Sequence, residues 1–239
     1  MGNLNNTAIK QDEYAQMSKN TVDSKGQLKE TEMIKFDNLT GEGKRIMFVG
    51  NSITLHGIKS EIGWHGAWGM AASAKDKDYV HILERLILEK DPGASFCICQ
   101  ASRWERVYQN GSEVYELFKN ARDFNADIIV FRCIENCSGK DLDGEVFQRE
   151  LDALLRYLDG SGDAKIVITT GFWRHPGDGA LRQYAKKMGY PCVELGDLGE
   201  DESMKAIGLF DHSGVANHPG DKGMQMIAER IFDAVSPLI

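Results

Sequence analysis

Ser52 and His218 are the two residues of this chain whose types and settings could do chemistry together. Ser52 closes a short apolar run, Arg45-Ile46-Met47-Phe48-Val49-Gly50-Asn51-Ser52. His218 stands in Asn217-His218-Pro219-Gly220, at the mouth of an amphipathic helical period. A serine hydroxyl is a weak nucleophile at neutral pH, and a base brought against it makes it competent for acyl transfer. The pair lies 166 residues apart, so only the fold can join them. Taken singly, each has an ordinary role open to it: Ser52 could cap a following helix, and His218 could cap or pack. Pro219 suits the first turn of a helix and sets His218 apart from His56, His65, His81, His175 and His212. Asn136, in Ile134-Glu135-Asn136, could donate to an oxygen that becomes negative in a tetrahedral intermediate, or could make an Asx turn.

The elements that must position these residues alternate. Short runs at Ile46 to Val49, Ser95 to Cys99, Ile128 to Phe131, Ile166 to Thr170 and Cys192 to Leu195 predict five buried strands. Helical periods lie between them at Val80, Leu83 and Ile87, at Val114, Leu117 and Phe118, at Phe147 to Leu158, and at Leu181 to Met188. A last one runs from Met224 to Val235. Strands alternating with helices predict an α/β fold with a parallel sheet covered on both faces. Ligands in such sheets sit outside the carboxyl ends of the strands. Ser52, Ser102 and Asn136 follow the first three strands and His218 precedes the last helix, so all four fall on one edge.

The chain of 239 residues is 42% hydrophobic and carries a formal charge of −8, enough for one sizeable core and unsuited to a nucleic-acid backbone. Residues 1–40 read as a polar N-terminal arm or linker, a candidate contact in a homo-oligomer, and residues 41–239 as one domain. No run approaches the roughly 20 apolar residues that span a bilayer, and no signal-peptide core is present, which predicts a cytoplasmic chain without a membrane partner. The five cysteines, Cys97, Cys99, Cys133, Cys137 and Cys192, lack zinc-type spacing and read as reduced packing residues. The pattern Gly50-Asn51-Ser52-Ile53-Thr54 has no glycine two places after the serine, unlike the nucleophile elbow of the α/β-hydrolases.

In three ordered blocks the chain resembles the SGNH hydrolases, the GDSL esterase/lipase superfamily. Gly50-Asn51-Ser52 stands for the first block, Ile134-Glu135-Asn136 for the third and His218-Pro219 for the last, within a resemblance running from about Arg45 to Val235. It implies a three-layer α/β/α sandwich with a flavodoxin-like five-stranded parallel sheet. It further implies Ser52 as nucleophile, His218 as general base, and an oxyanion hole made by the Ser52 backbone N–H, a second-block N–H at Ser102 and the Asn136 side chain. An ester substrate follows, an acetylated sugar or a lipid-like ester, with no metal or organic cofactor.

Three positions depart from the family pattern. Ser102 replaces the second-block glycine, and Ile134 replaces the third-block glycine, which is expected to narrow the site. Val215 stands where an aspartate usually orients the histidine, so a Ser–His dyad is expected, with a main-chain carbonyl near Val215 accepting from Nδ1. Asp211 and Glu135 are the carboxylates that could substitute. Trp64 and Trp68, between Gly63, Gly66 and Gly69, and Trp104 and Trp173 after strand ends, are candidate platforms for sugar rings or members of a satellite hydrophobic cluster. Arg103, Arg132 and Arg174 could pair an acidic substrate group or neutralise local carboxylates. The leading expectation is a serine esterase acting on a small acyl ester such as an O-acetyl group on a carbohydrate. The alternatives are a catalytically impaired glycan-binding module and a flavodoxin-like nucleotide or flavin binder, the last weakened by the want of any glycine-rich phosphate loop.

Overall fold

The computed structural model describes residues 28–39, 42–138, 142 and 144–239. Among the described residues six strands form one sheet: β1 (Ile34–Asp37), β2 (Arg45–Gly50), β3 (Ser95–Gln100), β4 (Ile128–Arg132), β5 (Lys165–Thr169) and β6 (Cys192–Val193). Their order is β1-β3-β2-β4-β5-β6. The last five are parallel and fall where the apolar runs predict them. Without β1 they run in the flavodoxin-like order, whose direction reverses between β2 and β4.

β1 is additional. It pairs antiparallel with β3, Ile34 opposite Cys99 and Asp37 opposite Phe96, within the stretch read above as an arm. Ile34 and Phe36 are buried while Lys35 and Asp37 face outward. A two-residue alternation this short, flanked by polar sequence, carries too little periodicity to be recognised. The rest of that stretch, up to residue 27, lies outside the described residues.

The helices are α1 (Tyr79–Leu88), α2 (Ser102–Val107), α3 (Lys119–Asp123), α4 (Glu145–Leu158), α5 (Asp178–Met188), α6 (Ser213–Ala216) and α7 (Asp221–Val235). The period at Val114, Leu117 and Phe118 forms a 3₁₀ stretch, Tyr108–Phe118, in which Phe118 is buried and Leu117 exposed. Alternate strand residues feed two cores. Ile46, Phe48, Ile98 and Val130 pack against Val80, Leu83 and Ile87 of α1 and Ile227 and Ile231 of α7. Met47, Val49, Cys97 and Phe131 meet Trp104 of α2, Phe147 and Leu151 of α4 and Leu181 of α5. The parallel strands are buried on both faces, which is why they read as continuous apolar runs rather than alternating ones. Cys97, Cys99, Cys133 and Cys137 are buried, Cys192 is half-buried, and all five are free thiols. No helix among the described residues is long and apolar enough to cross a membrane.

Candidate active site

β2 stops at Gly50 because the chain turns back there. A Cβ on Gly50 would lie 1.7 Å from Thr54 Oγ1, so only glycine allows the turn. Thr54 N–H and Leu55 N–H both donate to Asn51 O, at 2.9 and 3.0 Å, and Thr54 Oγ1 meets Tyr79 OH at 2.8 Å. The turn leaves Ser52 half-buried at the carboxyl edge of the sheet, beside the point where strand order reverses. Its carbonyl accepts from Met70 N–H at 2.8 Å, while its own N–H makes no hydrogen bond among the described residues.

His218 meets Ser52 from the far end of the chain. Ser52 Oγ and His218 Nε2 lie 2.8 Å apart, and His218 Nδ1 lies 2.7 Å from Gly214 O. A carbonyl oxygen only accepts, so Nδ1 carries the proton and Nε2 turns its lone pair to the hydroxyl. Gly214 belongs to α6, whose single turn carries the carbonyl up under the ring. The histidine itself is held by Ala206 N–H donating to its carbonyl at 2.9 Å, and helix α7 begins at Asp221 rather than at Pro219. Trp173 packs nearly perpendicular against the imidazole, ring centres 5.2 Å apart. Burial pushes the His218 pKa down to about 4, against the upward pull of the Gly214 carbonyl and of the Glu135 charge. Neither candidate carboxylate touches the ring: Asp211 is exposed, and Glu135 is bound elsewhere.

Behind the serine lies a buried polar network that sequence spacing does not announce. Asn51 Nδ2 donates to Glu105 Oε1 at 3.0 Å and to Glu135 Oε2 at 2.6 Å, and Asn51 Oδ1 accepts from the Arg132 guanidinium. Glu135 also accepts from Arg132 Nη1 at 2.7 Å and Phe172 N–H at 3.0 Å. Burial works against its charge, but Arg132 and that N–H more than offset burial and hold its pKa below the ordinary carboxylate value. Glu105, fully enclosed, is pushed up to about 7, first by burial and then by the Glu135 charge. Its Oε2 accepts from Asn136 Nδ2, which fixes that carboxamide at the rim. Asn51 therefore donates to two carboxylates at once, and an aspartate there would add a third.

The sequence-predicted site residues separate into two groups. Ser52, Ser102, Asn136 and His218 line one cleft of about 420 Å³, together with His56, Lys59, Met70, Gln100 and Arg106. Ser102, however, is engaged: its N–H and hydroxyl donate to Gln100 Oε1 at 3.2 and 3.0 Å, so that N–H serves an oxyanion only when Gln100 turns aside. The aromatic platforms largely fail. Trp104 is fully enclosed between the sheet and α4 and cannot meet a ligand. Trp64 is 2% exposed and forms a satellite cluster with Met70, Ala71, Ala206 and Val215. Trp68 is half-buried and spends its indole N–H on Ala72 O at 3.0 Å. Trp173 stands nearest the chemistry, against His218. Ile134 does not narrow the cleft: it points into the core, where Gly171 and Gly177 leave room for its methyl groups. Arg132 and Arg174 pair with Glu135 and Glu200.

Sequence reasoning missed Glu105 and the cations Lys59 and Arg106. In Trp104-Glu105-Arg106 the glutamate looks like an ordinary helix-surface acid, and only its burial distinguishes it. The Gly214 carbonyl was foreseen as a main-chain acceptor near Val215, without its residue number.

The fold is an α/β/α sandwich, with Ser52 and His218 at the carboxyl edge of its parallel strands. No protein-family model and no curated protein matches the sequence. Among solved structures, a two-domain esterase active on acetylated mannans superposes with a TM-score of 0.53 at 16% identity, over 82% of this chain and 50% of its own. This chain thus spans about half the length of that esterase. A GDSL-like lipase from Parabacteroides merdae gives a TM-score of 0.54 at 17% identity, over 81% of this chain and 95% of its own. A carbohydrate esterase family 2 enzyme from Corynascus thermopiles gives 0.51 at 12% identity, over 81% and 66%. At such identities the likeness is one of fold.

Proposed function

We propose that this chain is a serine esterase of the SGNH type, hydrolysing a small acyl ester through a Ser–His dyad. The contact of Ser52 Oγ with His218 Nε2 at 2.8 Å, with Nδ1 bound to a carbonyl, carries the reading. Ser52 Oγ attacks the acyl carbon while Nε2 takes its proton. The tetrahedral oxyanion meets the free Ser52 N–H and the Asn136 carboxamide, and collapse passes the proton from Nε2 to the leaving alkoxide. Water, deprotonated by the same nitrogen, then releases the acid. The Gly214 carbonyl fixes the tautomer but stabilises the imidazolium less than an aspartate would, so turnover is expected to be slower than with a full triad. The mannan esterase and the family 2 carbohydrate esterase sharing this fold support an O-acetylated carbohydrate as substrate.

Stopped-flow hydrolysis of 4-nitrophenyl acetate tests the mechanism. Wild-type protein should release a burst of nitrophenolate equal to the enzyme concentration, and Ser52→Ala should give none. Equal turnover by the variant would refute the assignment. A glycan-binding module with an idle serine is the rival reading, and it predicts no covalent labelling of Ser52 by an organophosphonate.

A further inference from the structure

The protein is acidic, with 36 aspartates and glutamates against 28 lysines and arginines, yet none of those acids lines the cleft over Ser52 among the described residues. Its charged walls are Lys59 and Arg106, with His56 near both. Burial, foremost, and then these two cations lower the His56 pKa, which places all three side chains in one field. Of the three arginines the sequence places at this edge, Arg132 pairs with Glu135 and Arg174 with Glu200, while Arg103 lines a neighbouring cleft rather than this one. The Lys59 ammonium and the Arg106 guanidinium have no hydrogen-bond or ion-pair partner among the described residues.

Both cations are also held in place at the backbone. Lys59 N–H donates to Trp64 O at 2.9 Å and Trp64 N–H to Lys59 O at 3.2 Å, so Lys59 sits on a small bridged loop. Arg106 projects from α2, which is anchored by the enclosed Trp104 and Glu105 on either side of its exposed face. A cleft lined by two unpaired cations and by no acid, in a molecule of formal charge −8, concentrates negative ligands.

From this arrangement we infer that the ester cleaved here belongs to an acidic molecule, whose carboxylate is bound by Lys59 and Arg106 while its acyl group lies over Ser52. The inference rests on the esterase reading above. The carboxylate could sit on the acyl part, as in a half-ester of a dicarboxylic acid, or on the alcohol, as in an O-acetylated uronic acid. Arg106 offers a planar fork that matches a carboxylate, and Lys59 adds a point charge.

Two matched pairs of probes separate these sources: 4-nitrophenyl acetate against mono-4-nitrophenyl succinate, and O-acetylated mannose oligosaccharides against O-acetylated galacturonic acid oligosaccharides. Wild-type protein should prefer the acidic member of at least one pair in kcat/KM, and about 0.5 M salt should narrow the preference. Lys59→Ala and Arg106→Ala should each lower kcat/KM on that acidic substrate about fivefold, through KM, the worth of one close charge pair in water. 4-Nitrophenyl acetate should change by less than about twofold, and Lys59→Arg should retain the preference. Lys186→Ala, on the distant exposed face of α5, controls for net charge. Response of the succinate pair places the carboxylate on the acyl side, and response of the uronate pair places it on the alcohol. Neutral preference in both pairs, or a preference unchanged in the Lys59→Ala/Arg106→Ala double variant, would overturn the inference. Calorimetry of deacetylated galacturonic acid oligosaccharides with Ser52→Ala reads charge recognition without catalysis. If 4-nitrophenyl acetate shows no Ser52-dependent turnover, the esterase reading fails instead, and this binding measurement still judges the cations.

Discussion

At the scale of single residues, the dyad depends on His218 being neutral. With its pKa near 4, the acid limb of kcat/KM should rise through pH about 4 and be flat by 6.5. A limb near 6.5 would show that the ring is hydrated. The same depression has a sign for stability: the unfolded chain takes up the proton first as pH falls. This contribution is therefore present above about 6.5 and is lost as pH falls toward 4. Asn136→Ala should lower kcat by about a hundredfold to a thousandfold if the carboxamide holds the oxyanion. Loss in KM alone would reassign it to substrate binding. Asn51→Asp should unfold at lower temperature than wild type, because it sets an acid against Glu105 and Glu135 in place of two donated hydrogen bonds. An unchanged melting temperature would show that the network is wetter than its geometry implies.

Elements matter because they hold each of these residues at a defined turn. β2 delivers Ser52 through the Gly50 turn, α2 delivers Glu105, and β4 delivers Arg132 and the turn to Asn136. The segment after β5 accommodates Ile134: a Cβ on Gly177 would lie 2.7 Å from Ile134 Cδ1, and one on Gly171 2.9 Å from Ile134 Cγ2. The bulk added in the third block is thus matched by glycines in a neighbouring segment. Gly177→Ala should cost about 1–3 kcal/mol by overpacking, and much less in an Ile134→Val background that lacks Cδ1. Urea unfolding of the four proteins measures the coupling, and additive penalties would mean that the two residues do not compete for space. The loop from His56 to Ser73 is pinned as well. His56 N–H donates to Trp68 O, Gly69 N–H to Asp78 and Ser73 N–H to Asp221, so Trp64 is held inside the satellite cluster with Trp68 packed against it.

For the whole molecule, Glu105 couples the site to global stability. Its pKa near 7 exceeds the ordinary 4.5, so the folded state keeps a proton that the unfolded chain releases. That contribution is fully present below about 4.5 and is lost as pH rises through 7. Glu105→Gln should flatten the fall in melting temperature between pH 5 and 8, and an unaltered slope would locate the titration elsewhere. The alternation of apolar runs and helical periods was enough to read the five parallel strands, their layers and the edge that carries Ser52, Asn136 and His218, because backbone periodicity and the right-handed crossover act locally. The strand β1 escaped that reading, being four residues long. So did Glu105, the burial of Trp64 and Trp104, and the unpaired cations over the serine. Burial, ion pairing and pKa are set by what lies beside a residue in space, and neighbours distant in the chain leave no spacing to read. The residue types, then, were determined by the sequence itself. Which of them are desolvated, paired or left open to a substrate was decided only when the sheet and its two helical layers closed.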